Sequence, residues 1–462
     1  MKITYRQPKV LKRSQRSGEK SAKNMPRVPT MVSIVHVLFF CIAGLVLLGG
    51  LAGCLPLPTD KKEKQIVVLW HNFSGVEAEA LQSLADSFNA ENDWDLILIT
   101  EYQQNLFDKV QVAPGSRPDM ITIRPEDLPA YLSLGLIGAG PEQSVVFRQG
   151  QHDLLPMASS LYKVGGVIRA LPLGLQTFVM YANREWLLDL GYPLEGASWQ
   201  DLQRVACAAT ALQGGQVGLG IPAQPGSLMA FLTASGSQIV DEAGMYTFAD
   251  QQGLATADML YEMLVGECAV VYNDLDVGPL RLSKSSMAMI LESSKYLNDV
   301  EDAVAKGRNF SLSVSALPSP AGTGSTLWFG PGLAVIHSTP EREENALHVM
   351  EWFYAADTQQ QWSQKTLYLP TRRSLIVDEL NADVDSTRNQ LLEVVLEADS
   401  QGSWVSWPLF TNRMACRASL LRALLFMGER DTQPRDYINT AATACNTVVQ
   451  PILIPPSEAE TP

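Results

Sequence analysis

Aromatic residues set beside small ones, outside any periodic stretch, are the most chemically suggestive feature of this sequence. Trp70 and Phe73 stand at a Ser-Gly turn, Trp328 precedes Phe329-Gly330, and Trp404 and Trp407 share a short, otherwise polar segment. Flat apolar faces of this kind stack on the C–H side of a sugar ring, and planar polar groups bond its hydroxyls. The polar candidates are Gln103, Arg124, Gln176, Ser293, Ser294 and Arg372, with His71 beside Trp70 as a further donor. Arg124 follows a strand end, where its planar fork suits a hydroxyl pair or a phosphate. Its ordinary alternative is an ion pair with Glu126 or Asp127. For each tryptophan the ordinary alternative is burial in the core.

Catalytic constellations are absent from the sequence: there is no Gly-x-Ser-x-Gly elbow, no His-Glu-x-x-His and no phosphate-cradling Gly-x-x-x-x-Gly-Lys-Ser/Thr. No residue pattern here points to a cofactor or a metal; that the chain is a binding protein and not an enzyme is what the family resemblance given below implies. A secreted glycoside hydrolase with paired carboxylates is the alternative from another class. The net charge of −14, without a basic stripe, speaks against nucleic acid as a partner.

The N-terminal segment carries nine Lys/Arg between Lys2 and Arg27 against one acid, Glu19, followed by the apolar run Val32 to Leu51 and then Ala52-Gly53-Cys54. A basic flank, an apolar run and a small-residue approach to a cysteine form an export signal. It resembles the bacterial lipoprotein signal, which implies cleavage before Cys54, lipidation of its thiol and loss of residues 1–53. Retention of the run as a transmembrane anchor is the alternative, and either way the body lies outside the cytoplasm. Met25 or Met31 is an alternative start to Met1. Of six cysteines, Cys41 lies in the leader and Cys54 would carry lipid, which leaves Cys207, Cys268, Cys416 and Cys445. Disulfides are their expected use in an oxidising compartment, and four cysteines allow three connectivities.

The elements that must position these residues alternate in type. Gln65 to Trp70 is a compact apolar run that reads as a buried strand. Glu77 to Ala90 has Ala78, Leu81, Leu84, Ala85 and Phe88 at helical spacing, and Asp95 to Thr100 is a second strand. Strand, helix and strand imply a βαβ unit and a mostly parallel sheet. Strands at 118–123, 178–181, 287–291 and 333–336 continue the theme, as do helices at 126–134, 184–190, 199–212, 342–355, 414–427 and 434–449. The stretch after Pro451 is proline-rich and polar, the composition of a disordered tail.

The order of short motifs along residues 66–450 resembles the extracellular solute-binding proteins of ABC importers, in the maltose-binding-like group. The motifs are Trp70-His71 with Gly75, Leu84 to Asn89, Arg117-Pro118-Asp119, Pro172, Tyr181-Ala182-Asn183, Ser198 to Leu202, Ser286 to Met289, Leu317 to Pro320, Gln359 to Trp362 and Leu369 to Arg372. The sequence departs from the group's pattern at Ala182 and at Ser283-Lys284-Ser285.

The resemblance implies an α/β fold of the periplasmic-binding-protein type, two lobes with a hinge and a cleft between them. The chain would cross near Gly174 to Thr177, Leu317 to Thr323 and Thr371 to Ser374. The implied layout is signal 1–53, tether 54–64, first lobe 65–174 and 320–372, second lobe 175–319 and 373–450, and tail 451–462. It puts Cys207 with Cys268 in one lobe and Cys416 with Cys445 on two adjacent terminal helices. The implied function is a monomeric receptor, lipid-anchored on the extracytoplasmic face of the cell membrane, that hands a sugar or polyol to an ABC permease. Its ligand-binding residues would be Trp70, Phe73, Gln103, Arg124, Gln176, Ser294, Trp328 and Trp404. A glycerol-3-phosphate-type ligand is the alternative.

Overall fold

Two β-sheets with helices packed on them make up the described part of the chain. The computed structural model describes residues 64–112, 114–193, 196–213, 216–273, 277–320, 324–382, 386–409 and 413–447, and these belong to one compact unit. The leader, the lipidation site Cys54, nearly all of the tether and the tail lie outside them.

The first sheet grows from the βαβ unit. β1 (Gln65–His71) turns Val67, Leu69 and His71 to the interior, and the helix Val76–Glu91 buries Ala80, Leu81, Leu84, Ala85 and Phe88. β1 runs parallel to β2 (Leu96–Tyr102) on one side and to β3 (Met120–Ile123) on the other. A short hairpin, β4 (Lys163–Val164) with β5 (Val167–Ile168), precedes β6 (Leu171–Pro172).

The second sheet is built on β7 (Gln176–Asn183), which is buried from Thr177 onward. Its other strands are β8 (Val217–Pro222), β9 (Ala269–Tyr272), β10 (Met287–Ser293), β11 (Leu312–Ala316) and β12 (Thr326–Phe329). The chain then returns as β13 (Gly332–Val335), antiparallel to β3 and β6, and completes the first sheet in the order β2-β1-β3-β13-β6. β14 (Trp404–Ser406) closes the second sheet in the order β14-β12-β7-β10-β8-β9, with β11 also on β7.

Sheet membership shows where the chain passes from one layer to the other. Thr326–Phe329, which the layout expected from the sequence gives to the first lobe, pairs with β7 in the second sheet. By sheet membership the chain returns to the first sheet between β12 and β13, at Gly330-Pro331. The three passages touch: Leu175 and Leu369 exchange backbone hydrogen bonds of 2.9 and 2.8 Å, and the Leu173 N–H donates to the Pro331 carbonyl at 2.9 Å. A Cβ on Gly330 would lie 2.0 Å from the Gly174 carbonyl oxygen, so two glycines meet where strands cross without side chains. The Tyr162 hydroxyl sits 2.9 Å from the Ile123 carbonyl and 2.8 Å from that of Gly330, tying β3 to the same passage.

The cysteines are joined as Cys207 to Cys268 and Cys416 to Cys445, with Cα atoms 4.5 and 4.2 Å apart. The first bond holds the helix Trp199–Gln213 against the start of β9, and the second ties the helix Arg413–Phe426 to Pro434–Asn446.

Candidate functional site

In open α/β sheets a ligand crevice forms beyond the carboxyl ends of parallel strands. Here the ends of β1, β3, β8 and β10 all border one cavity of about 380 Å³. The first layer supplies Asn72, Phe73, Ser74 and Glu77 after β1, and Thr122 to Glu126 at the end of β3. The second supplies Gln176, Phe178, Gln224, Gly226, Ser293, Lys295, Tyr296, Phe329 and Trp407. A neighbouring cavity of about 400 Å³ shares Asn72, Thr122, Arg124, Glu126 and Arg417, and extends past Asn105, Asp108 and Met414.

An aromatic wall forms the second-layer side. Phe178 and Phe329 have ring centroids 5.5 Å apart, and Phe329 and Trp407 5.4 Å apart. Gly226 makes this packing possible, because a Cβ there would lie 2.5 Å from the Phe178 ring. On the opposite side Tyr368 stacks on Trp362 with planes 5° apart.

Two ion pairs span the cavity. Lys295, after β10, pairs with Glu77, at the start of the helix after β1, and the Tyr368 hydroxyl donates to the same carboxylate at 2.6 Å. Arg417, on the helix Arg413–Phe426, donates to Glu126 at 3.0 Å. Arg124 lines both cavities and is exposed, and its guanidinium makes no hydrogen bond or ion pair among the described residues. Gln176 accepts at its carboxamide oxygen from Ser293 at 2.9 Å.

Of the residues expected to bind ligand, the structure brings Phe73, Arg124 and Gln176 to this cavity. It places the other five elsewhere. Trp328 is fully buried, with its indole N–H donating to Thr326 at 2.6 Å, while Phe329, on the opposite face of β12, lines the cavity. Ser294 is fully buried and accepts from the Thr177 N–H at 3.1 Å. The Trp70 indole donates to Glu101 at 2.8 Å, and Gln103 accepts from Lys109 at 2.6 Å, both away from the cavity. Trp404 lies on the short strand β14. Arg372 is held by Asp153 at 2.8 Å and lies over the Tyr354 ring. Sequence reasoning missed Asn72, Glu77, Tyr296, Tyr368 and Arg417 as lining residues. Trp407, singled out with Trp404 by the aromatic signal but not carried into the expected ligand set, lines the cavity.

Glu292, next to Ser293 on β10, is buried, accepts from the Tyr272 hydroxyl at 3.2 Å, and has its carboxyl raised from 4.5 to about 7 by desolvation. The folded state therefore holds a proton that the unfolded chain releases. Stability is full below the unfolded value near 4.5 and is lost as pH rises through about 7. The loss should reach about 3 kcal/mol. Glu292→Gln should flatten the fall in melting temperature between pH 5 and 8; parallel curves for the parent and Glu292→Gln would contradict this.

A family described as bacterial extracellular solute-binding protein matches residues 83–387. No curated protein matches the sequence. Among solved structures, the sugar-binding protein MalE of the phytopathogen Xanthomonas citri shares the fold with a TM-score of 0.73 and 15% identity, over 83% of this chain and 97% of that one. The GacH receptor of Streptomyces glaucescens GLA.O, solved unliganded and with acarbose and an acarbose homolog, gives 0.68 and 20% over 83% and 99%. Maltose-bound MalE3 of T. maritima gives 0.66 and 17%, again over 83% and 99%. At these identities the likeness is one of fold.

Proposed function

Because this chain belongs to the bacterial extracellular solute-binding proteins, an extracytoplasmic family of binding proteins and not of enzymes, we propose that it captures a carbohydrate in the cavity between its two sheets. The observation that carries this reading is the cavity itself. Its volume of about 380 Å³ admits a sugar-sized molecule, and its wall combines the Phe178–Phe329–Trp407 rings with Asn72, Arg124, Gln176 and Gln224. Aromatic faces for ring C–H groups and planar polar groups for hydroxyls are the requirements of carbohydrate recognition. The acarbose and maltose named for the GacH and MalE3 structures, and the description of MalE as sugar-binding, support the same class.

We assign the first lobe to residues 65–174 and 331–372 and the second to 175–330 and 373–447, with the hydrogen-bonded passages at Leu175, Gly330 and Leu369 as the hinge. A ligand touching both lobes then favours the closed arrangement by its differential affinity. The loaded protein would deliver its sugar to an ABC permease. The basic flank, apolar run and small-residue approach support a lipid anchor at Cys54. Intact mass of the membrane-extracted protein tests the anchor: an unmodified Cys54, or a form that starts upstream of it, contradicts it. Melting curves with a panel of mono- and oligosaccharides test the binding. Saturation at 100 times Kd should add about 2.7 kcal/mol to the stability, and no shift with any saccharide would contradict the reading.

A further inference from the structure

We propose that the ligand of this cleft is an acidic saccharide, a sugar-sized molecule bearing one carboxylate or phosphate group, and that Arg124 receives that group together with the amides of Asn72 and Gln176. The inference rests on the reading of the cleft as a carbohydrate site and sharpens it.

It follows from counting donors and acceptors. A neutral sugar presents hydroxyls that both give and take hydrogen bonds, so its site needs free acceptors as well as donors. Both carboxylates of the main cavity are charge-paired through one oxygen: Glu77 Oε1 accepts from Lys295 and Tyr368, and Glu126 Oε1 accepts from Arg417. The Gln176 oxygen is taken by Ser293, and the Asn72 oxygen lies 3.5 Å from the Thr122 hydroxyl as its acceptor. The N–H groups of both amides have no partner among the described residues, and neither does the Arg124 guanidinium. With Lys295 and Arg417 each paired to a carboxylate, Arg124 is left as the one uncompensated charge of the main cavity.

A helix end adds to this charge on the main-cavity side, while Asp108 and Asp127 line the adjoining cavity. The ten-residue helix Pro225–Ala234 starts at the cavity with no acidic residue in its first turn, so the positive end of its dipole is uncompensated. An anionic oxygen cluster matches this arrangement, because charge-assisted hydrogen bonds to a planar guanidinium are stronger than neutral ones. A local positive charge is also selective in a chain of net charge −14, which otherwise repels anions. The hydroxyls of the sugar retain Ser74 and Gln224 in the main cavity and Asp108 in the adjoining one.

Calorimetry with maltose, digalacturonate and glucose 6-phosphate tests the proposal, on the parent, Arg124→Gln and Arg124→Lys. The melting temperatures of the variants are expected to match the parent, since Arg124 is exposed and unpaired. At least one acidic probe should bind tenfold or more tighter than maltose; Arg124→Gln should lose that advantage and Arg124→Lys should keep part of it. The two acidic probes separate a carboxylate ligand from a phosphate ligand. If neither acidic probe binds tighter than maltose, or if Arg124→Gln leaves the preference intact, the proposal is overturned while the carbohydrate reading stands. If none of the three binds, the proposal is overturned; the carbohydrate reading fails with it only if no saccharide of the panel shifts the melting temperature.

Discussion

Replacing both disulfides by alanine pairs is expected to remove most of the stability of the body. Cys207–Cys268 closes a separation of 61 residues and Cys416–Cys445 one of 29. In the chain-entropy view each restricts the unfolded chain by about 4 kcal/mol. Their sum, about 8 kcal/mol, is comparable with the whole stability of an ordinary domain. The two bonds act in different places: one fixes a helix to the β9 edge, the other fixes the last two helices to each other. The losses should therefore add. Urea unfolding of the two paired replacements and of their combination measures this. A combined variant with the midpoint of the parent would contradict the assignment of stability to these links.

Trp407→Ala is expected to cost about 3–5 kcal/mol in stability, as for other buried aromatic truncations, and to abolish ligand binding. The ring is 5% exposed, packs on Phe329, and fills the space beside Gly226, while its backbone N–H donates to the Trp328 carbonyl at 2.7 Å. Removing it opens the aromatic wall of the cavity at its base. Trp404→Ala is the matched comparison: that ring is only partly buried, so its loss should cost less and should leave binding intact. Equal effects of the two substitutions on affinity would contradict the placement of the site.

The pair Trp404 and Trp407 also shows what the sequence carries and what it does not. Element type was legible wherever periodicity was strong: the strand at Gln65, the helix from Glu77, the helix from Trp199 and the strand at Met287 are present within a few residues of where the pattern puts them. The helix Pro225–Ala234 was not, because Gly226 through Ala234 are all buried and leave no polar face to mark a period. β14, with three residues, is too short to show alternation.

The site was legible in part for a related reason. Adjacent strand residues point to opposite faces, so Trp328 and Phe329 are equivalent candidates in sequence and opposite in the fold. Arg124 and Gln176 could be named because each sits at a strand end, where backbone direction alone brings a side chain to the crevice. Lys295, Glu77, Tyr368 and Arg417 reach the same cavity from four separate segments. No local spacing relates them.

Binding to Ser74→Trp is the most direct test of the claim that the ligand sits between the sheets. Ser74 is an exposed cavity-lining position whose hydroxyl makes no hydrogen bond among the described residues, so a bulky ring there fills the cleft without disturbing the core. The account predicts an unchanged melting temperature for the ligand-free variant and no stabilisation by a saccharide that stabilises the parent. Stabilisation equal to that of the parent would contradict it and move the site elsewhere on the molecule.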